Sequence, residues 1–332
     1  IQMDHLRVTV MELDEGSGVI IQTPGGSRFL VDAGKVDWRG TFDVGERTVA
    51  PVLLGQQIEH LDGVFITHLL PENVGGLAFI LDNFTVGGIY VPFNPAILKS
   101  SRPFTEDDYG EIRGQSSRWR DVRQTVQAVE KIRSMVVKRK IPVMRLAEGA
   151  AILKGGGVQM DVLNPPKESA AQDGLGNRGL VLRITYGPHS ILLAGDLDAV
   201  GSRALIDRYP DLRANFLLIP SHAAEGSFSE DFAKKVLPEY AAVQYRVAPF
   251  RRGDDGNPYA PEEIMSRYAA LGAKVFRTDM HGAITVDAWA DGRFTVTPML
   301  STPVAHAVEA PESESDTDVM ERTLLKSEGT GL

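Results

Sequence analysis

Apolar and polar positions alternate over residues 6–13, which predicts a strand, and Gly16-Ser17-Gly18 turns the chain into a second strand over 19–22. Pro24-Gly25-Gly26 reads as a hairpin turn, and residues 27–32 complete a third strand that ends in Asp32-Ala33-Gly34. Residues 48–60 predict helix. The apolar run Val64 to Ile66 reads as the end of a buried strand, broken at Thr67-His68 by a polar corner that closes on Gly75-Gly76. A helix over 77–83 and a short strand over 86–91 follow, and the polar stretch 93–118 reads as loop. Val122, Val126, Val129, Ile132 and Val136 then keep helical spacing, with basic residues between them.

From residue 141 onward the pattern returns to strands, at 142–145, 150–154, 158–163, 179–186 and 190–194, the last closing on Gly195-Asp196. A helix over 199–208 precedes an apolar strand, 216–220, that ends in Ser221-His222. Helices over 228–236 and 261–271, a strand over 241–247 between them, and strands at 274–278, 282–289 and 294–298 complete the pattern. Past about residue 300 it stops. Residues 301–332 are rich in Ser, Thr, Glu, Asp and Pro, cannot bury enough apolar surface to offset ordering, and are expected to form a disordered acidic tail after a domain spanning 1–300.

Composition narrows the chemistry. The 332 residues are 43% hydrophobic, enough for a sizeable core, and contain no cysteine, so disulfides, thiolate metal sites and cysteine nucleophiles are excluded. Any metal would fall to carboxylates and the seven histidines. No apolar run approaches the roughly 18 residues of a membrane span. The expectation is a soluble chain of bacterial type, with nothing to separate cytoplasm from periplasm. The net charge of −9 is unevenly spread: residues 99–145 hold 12 Lys and Arg against 6 Asp and Glu, while 305–332 hold 2 against 7. A basic helical insertion at about 94–140 therefore carries Arg118, Arg120, Arg123, Lys131, Lys138, Arg139 and Lys140. Those charges are read either as a solvated helix face or as a surface for backbone phosphates. No phosphate-loop or nucleophile-elbow motif occurs.

Loops at the carboxyl ends of strands are where layered α/β folds place their ligands, which directs attention to residues 67–76. Thr67-His68-Leu69-Leu70-Pro71-Glu72-Asn73-Val74-Gly75-Gly76 resembles the metallo-β-lactamase signature T-H-x-H-x-D-H-x-G-G with several ligands replaced. Residues 13–34, LDEGSGVIIQTPGGSRFLVDAG, resemble the opening of the metallo-β-lactamase-like domain of ComEC-type DNA-uptake proteins. The strand 190–194 closing on Gly195-Asp196, with Leu192-Leu193-Ala194 before them, resembles that family's L-L-x-G-D element, and Ser221-His222 stands where it has paired histidines. Asn257-Pro258-Tyr259-Ala260-Pro261 sits where a further histidine-containing element is usual, with Ala260 at the histidine position.

The resemblance implies an α/β (α+β) chain folded as an αββα sandwich, two mixed sheets face to face with helices outside. It also implies a dinuclear metal site, which position by position is only partly kept. His68, Asp196 and His222 remain, Glu72 replaces an aspartate, Asn73 a histidine, Leu70 a histidine and Ser221 a histidine. The residual metal ligands are then His68, Glu72, Asn73, Asp196 and His222, with Asp196 and His68 as catalytic candidates. Cofactor expectations are none, or one divalent ion (Mn, Mg or Zn), since Glu72, Asn73, Asp196 and His222 make an oxygen-rich set. Each residue also has a structural reading: His68 packed at a strand end, Asp196 capping the helix that starts near Ala199, His222 bonded to a neighbouring loop. Two functions follow: a degenerate domain that binds nucleic acid, a protein or a membrane channel, or a single-metal phosphodiesterase or nuclease.

Overall fold

The computed structural model describes residues 3–13, 16–36, 42–100, 102–113, 119–167, 175–224, 226–245 and 261–301. Its first half runs β1 (Leu6–Val10), β2 (Val19–Gln22), β3 (Arg28–Val31), α1 (Ala50–Gly55), β4 (His60–Leu61), β5 (Gly63–Phe65), α2 (Pro71–Val74) and α3 (Leu77–Asn83). It continues with β6 (Thr85–Val86), β7 (Ile89–Val91), α4 (Ala96–Lys99), α5 (Glu106–Arg113), α6 (Trp119–Arg139) and β8 (Val143–Arg145). The second half begins β9 (Ala151–Gly155), β10 (Val158–Asn164), β11 (Val181–Tyr186), β12 (His189–Leu193), α7 (Ala199–Arg208), β13 (Phe216–Leu218) and α8 (Glu230–Val236). It ends with β14 (Tyr240–Val243), α9 (Pro261–Ala270), β15 (Lys274–Arg277), α10 (Thr278–His281), β16 (Ile284–Ala288) and β17 (Phe294–Pro298).

Two large mixed sheets result. One has the order β17-β16-β1-β2-β3-β5-β7-β8 and the other β15-β14-β13-β12-β11-β10-β9. Strands facing both a sheet and a helix layer must be apolar on both sides, which is why β12, HSILL, is buried at every residue. Between the sheets lies a core built from Val8, Ile21, Phe29 and Phe65 of one and Met160, Ile184, Ile191 and Phe216 of the other. A second apolar layer joins the outer face of the first sheet to α1, α2, α3, α4 and α6, and a third joins the second sheet to α7, α8 and α9. The architecture is αββα, as the resemblance implies. No described helix is long and apolar enough to cross a membrane.

Local departures from the sequence reading have physical causes. The stretch 93–118, read as loop, contains α4 and α5; α4 buries Ile97 and Leu98, and α5 is closed at its start by an ion pair between Arg102 and Asp108 at 2.5 Å. These helices are too short for periodicity to show. Asp198, not Asp196, caps α7, its Oδ1 accepting from the Gly201 amide at 2.8 Å. Residues 302–332, 257–260, 14–15 and Arg118 lie outside the described residues, so the expected acidic tail beyond Ser301 and part of two motifs are not described.

Candidate functional site

Strand β3 ends at Val31 and β5 at Phe65, neighbouring parallel strands whose following residues rise side by side from the first sheet. Asp32, in the left-handed region at φ 56°, is 3% exposed and turns its carboxylate toward the second of these loops. Its Oδ1 accepts from the Thr67 amide at 2.8 Å, and its Oδ2 accepts from the Thr67 hydroxyl at 2.6 Å and from Asn73 Nδ2 at 2.8 Å. Burial pushes the Asp32 pKa up to about 6, against the pull of those donors. Gly76 closes the loop, with its backbone so near Ala33 and Gly45 that a Cβ there would lie 2.3 Å from the Ala33 carbonyl oxygen.

Because the Thr67 hydroxyl donates to Asp32, its oxygen is left as an acceptor, and it takes Asn73 Nδ2 at 3.1 Å and His68 Nδ1 at 3.2 Å. That places a proton on His68 Nδ1, which also faces Asp196 Oδ2 at 3.4 Å. The other edge of the ring is covered by main chain: a Cβ built on Gly179 would fall 2.0 Å from His68 Nε2. His68 is 2% exposed. Its orientation is that of a donor to Asp196.

The opposite wall comes from the second sheet. Asp196 follows β12, and His222 follows β13, its parallel neighbour. Ser221, His222 and Ala223 all have positive φ, 50°, 53° and 58°, a strained run for residues other than glycine. The Ser221 amide donates to the Gly195 carbonyl at 2.9 Å and the Ser221 hydroxyl to the Leu197 carbonyl at 3.1 Å, which anchors the run. His222 Nδ1 donates to the Gln244 carbonyl at 2.8 Å, so Nε2 is the acceptor, facing the Ser17 hydroxyl at 3.4 Å and Asp196 Oδ1 at 4.0 Å. Gln244 in turn donates through Nε2 to the carbonyls of Met11 and Gly18, at 3.1 and 2.8 Å. Ser17, Asp32, Thr67, Asp196, His222 and Gln244 line a cleft between the sheets, with apolar residues such as Val19 and Leu180.

Of the five residual ligands read from the sequence, His68, Asp196 and His222 thus converge. Asn73 is 2% exposed and reaches the cluster only through Thr67 and Asp32; its Oδ1 has no hydrogen bond among the described residues. Glu72 meets the site through its carbonyl oxygen, which accepts from the Ser17 amide at 3.0 Å. Leu70 is half-buried at the start of α2, while Leu69 beside it is fully buried. Although Asp196 faces both His68 and His222, among the described residues no three His, Cys, Asp or Glu side chains are placed so that they could hold one metal ion. Two of the signature's ligand positions bring no metal donor to this cluster: Leu70 offers no lone pair, and Asn73 turns its carboxamide to Asp32 and Thr67.

Sequence reasoning missed Asp32, Ser17 and Gln244 as parts of this site. Asp32 stood at the end of a strand before Ala33-Gly34, which is a usable signal. Gln244 gave none, because only the fold carries β14 beside the Gly16-Ser17-Gly18 turn.

Seen from outside, α6 packs across α2, α3 and α4. Arg123, Lys131, Lys138, Arg139 and Lys140 are exposed. Arg139, though exposed, is engaged: it donates to the carbonyls of Phe84 (3.3 Å) and Asp82, satisfying the C-terminal end of α3.

No family model matches the chain. It is 24% identical over 288 residues to ComE operon protein 3 of Bacillus subtilis and 23% identical over 278 residues to competence protein ComA of Neisseria gonorrhoeae, each match covering 83% of this chain. The chain spans about a third of the length of these relatives, 32% and 31%. Among solved structures it is similar to the metallo-β-lactamase fold protein YhfI of Bacillus subtilis, at 14% identity and a TM-score of 0.46 over 86% of this chain and 100% of that one. A diphosphatase of the PhnP family gives 10% identity and a TM-score of 0.43, covering 81% and 94%.

Proposed function

We propose that this chain, a ComEC-like domain of metallo-β-lactamase fold, is a degenerate member that binds nucleic acid instead of hydrolysing it. The observation that carries the reading is the reduced ligand set: of the five residual ligands only His68, Asp196 and His222 converge, Leu70 offers no donor, and among the described residues no three His, Cys, Asp or Glu side chains are placed to hold one metal ion. Asp196, from the second sheet, then faces His68 of the first, tying the two sheets together. The scaffold survives while the chemistry lapses.

The basic face of α6 supplies the binding surface. Its cations are held on long side chains at one face of a rigid helix, an arrangement that suits backbone phosphates and carries no base-specific information. Protein and membrane-channel partners are the competing class. They are distinguished by titrating a short fluorescent oligothymidine into the protein and reading its anisotropy. Binding is expected to weaken steeply between about 50 and 200 mM salt, and Lys131→Glu with Lys138→Glu to weaken it further at every sequence tested. No binding at low salt, or binding indifferent to both lysines, would overturn the nucleic-acid reading. The hydrolase alternative is tested separately by elemental analysis of the purified protein. Stoichiometric manganese or zinc that disappears in Asp196→Ala, together with chelator-sensitive phosphodiesterase activity, would replace the binding reading with a catalytic one.

A further inference from the structure

Helix α6 has two opposed faces. Val122, Thr125, Val129, Ile132, Arg133 and Val136 are buried against the first sheet's helical layer. At about 100° per residue, Arg123, Gln127, Lys131, Ser134 and Lys138 fall within one narrow sector on the opposite side, and all five positions are exposed or half-buried. The stripe runs about 22 Å, from a rise of ~1.5 Å over each residue between 123 and 138. One acid, Glu130, borders it, and Asp43, whose pKa burial pushes up, is drawn partly back by Lys131.

The chain also carries its own polyanion. Residues 302–332 hold seven Asp and Glu against two Lys and Arg, and Glu312, Glu314, Asp316 and Asp318 recur at every second position. In an extended conformation such acids lie on one side, and the four would cover about 20 Å at ~3.3 Å per residue. That length matches the stripe.

The exit point puts the two within reach of each other. Ile284 of β16 pairs with Val10 of β1 on one side and with Pro298 of β17 on the other, so β17 ends at the same end of the sheet as β1, where the chain turns toward Ser17 and the cleft. Crossing the eight-stranded sheet from β17 to its far edge is about 34 Å at ~4.8 Å per strand. The 11 residues between Ser301 and Glu312 reach about 36–40 Å when extended.

We propose that the acidic segment around Glu312–Asp318 docks on the basic stripe of α6 as an intramolecular competitor, so that nucleic acid must displace it to bind. The competition rests on the reading of α6 as a phosphate-binding face; the docking itself does not. Zero-length carbodiimide crosslinking of the full 332-residue chain, read by peptide mass spectrometry, tests the docking. The expected products join Lys131 or Lys138 to acids between Glu309 and Glu321, and fade as salt is raised. Absence of such links, or equal linkage of these acids to Lys99, Lys234 and Lys274, would overturn the proposal.

Neutralising the segment with Glu312→Gln, Glu314→Gln, Asp316→Asn and Asp318→Asn tests the competition. Oligothymidine affinity at low salt is expected to rise about tenfold, because a tethered competitor acts at a high effective concentration. Crosslinks without any oligonucleotide binding would sink the function proposed above and leave the docking standing. Stripe-dependent binding that neutralisation leaves unchanged would sink the competition.

Discussion

Asp32 is the residue from which both loops of the first sheet hang, since its two oxygens collect one amide, one hydroxyl and one carboxamide from Thr67 and Asn73. Its pH signature follows from the raised pKa. Between the ordinary carboxylate value of 3.8 and about 6, the folded state binds a proton that the unfolded chain has already lost. Stability contributed through this group therefore falls as pH rises across that window and is flat above it, by on the order of 3 kcal/mol for a two-unit shift. Urea titrations from pH 4 to 7 are expected to show that slope in the parent and a shallower one in Asp32→Asn. Equal slopes would mean the carboxylate titrates normally. Gly179 provides a second residue-scale test. A methyl group there collides with the His68 ring, so Gly179→Ala is expected to cost about 1–3 kcal/mol and to lower the thermal midpoint, although alanine suits most backbones better than glycine does.

At the scale of elements, two aspartates two residues apart do different work. Asp198 caps α7, and its replacement by alanine is expected to cost about 1 kcal/mol; the cost for Asp196, which does not cap α7, should arise through its neighbours in the cleft, His68 first. Chemical denaturation of both variants separates the roles, and a larger loss at α7 from Asp196→Ala would reverse them. Helix α6 gives the complementary contrast. Ile132→Ala empties a fully buried position and is expected to cost about 2–5 kcal/mol, whereas Lys138→Ala on the opposite face should leave stability within about 0.5 kcal/mol. Helix α6 was legible because its apolar spacing persists from Val122 to Val136, most of its 21 residues. Helices α4 and α5 were not, because four and eight residues set no clear period; they are held by burial of Ile97, Leu98 and Ile112 and by Arg133 of α6, which donates to the carbonyls of Ser100 and Arg102 between them.

For the whole molecule, strand-rich halves and the spacing of motifs made the layers readable. The site was readable only as a set of strand ends. Which nitrogen of His68 carries a proton depends on Thr67, Asp32 and Gly179 meeting from three separate parts of the chain, and no local pattern encodes that. We propose that residues 1–300 behave as one domain. The shared core between the sheets predicts that limited proteolysis leaves a single cooperative body, with one unfolding transition by both fluorescence and circular dichroism. Two separable transitions would show instead that the halves fold independently.

The ladder between β1 and β16 links residues at opposite ends of the described chain, and Arg7 donates to Asp287 across 280 positions. On a ribosome adding about 5–20 residues per second, the edge of β1 would wait on the order of 14–56 s for its partner to be made. During that interval the first sheet carries an unpaired apolar margin in a crowded cell. Its owner must fold late, or be chaperoned early.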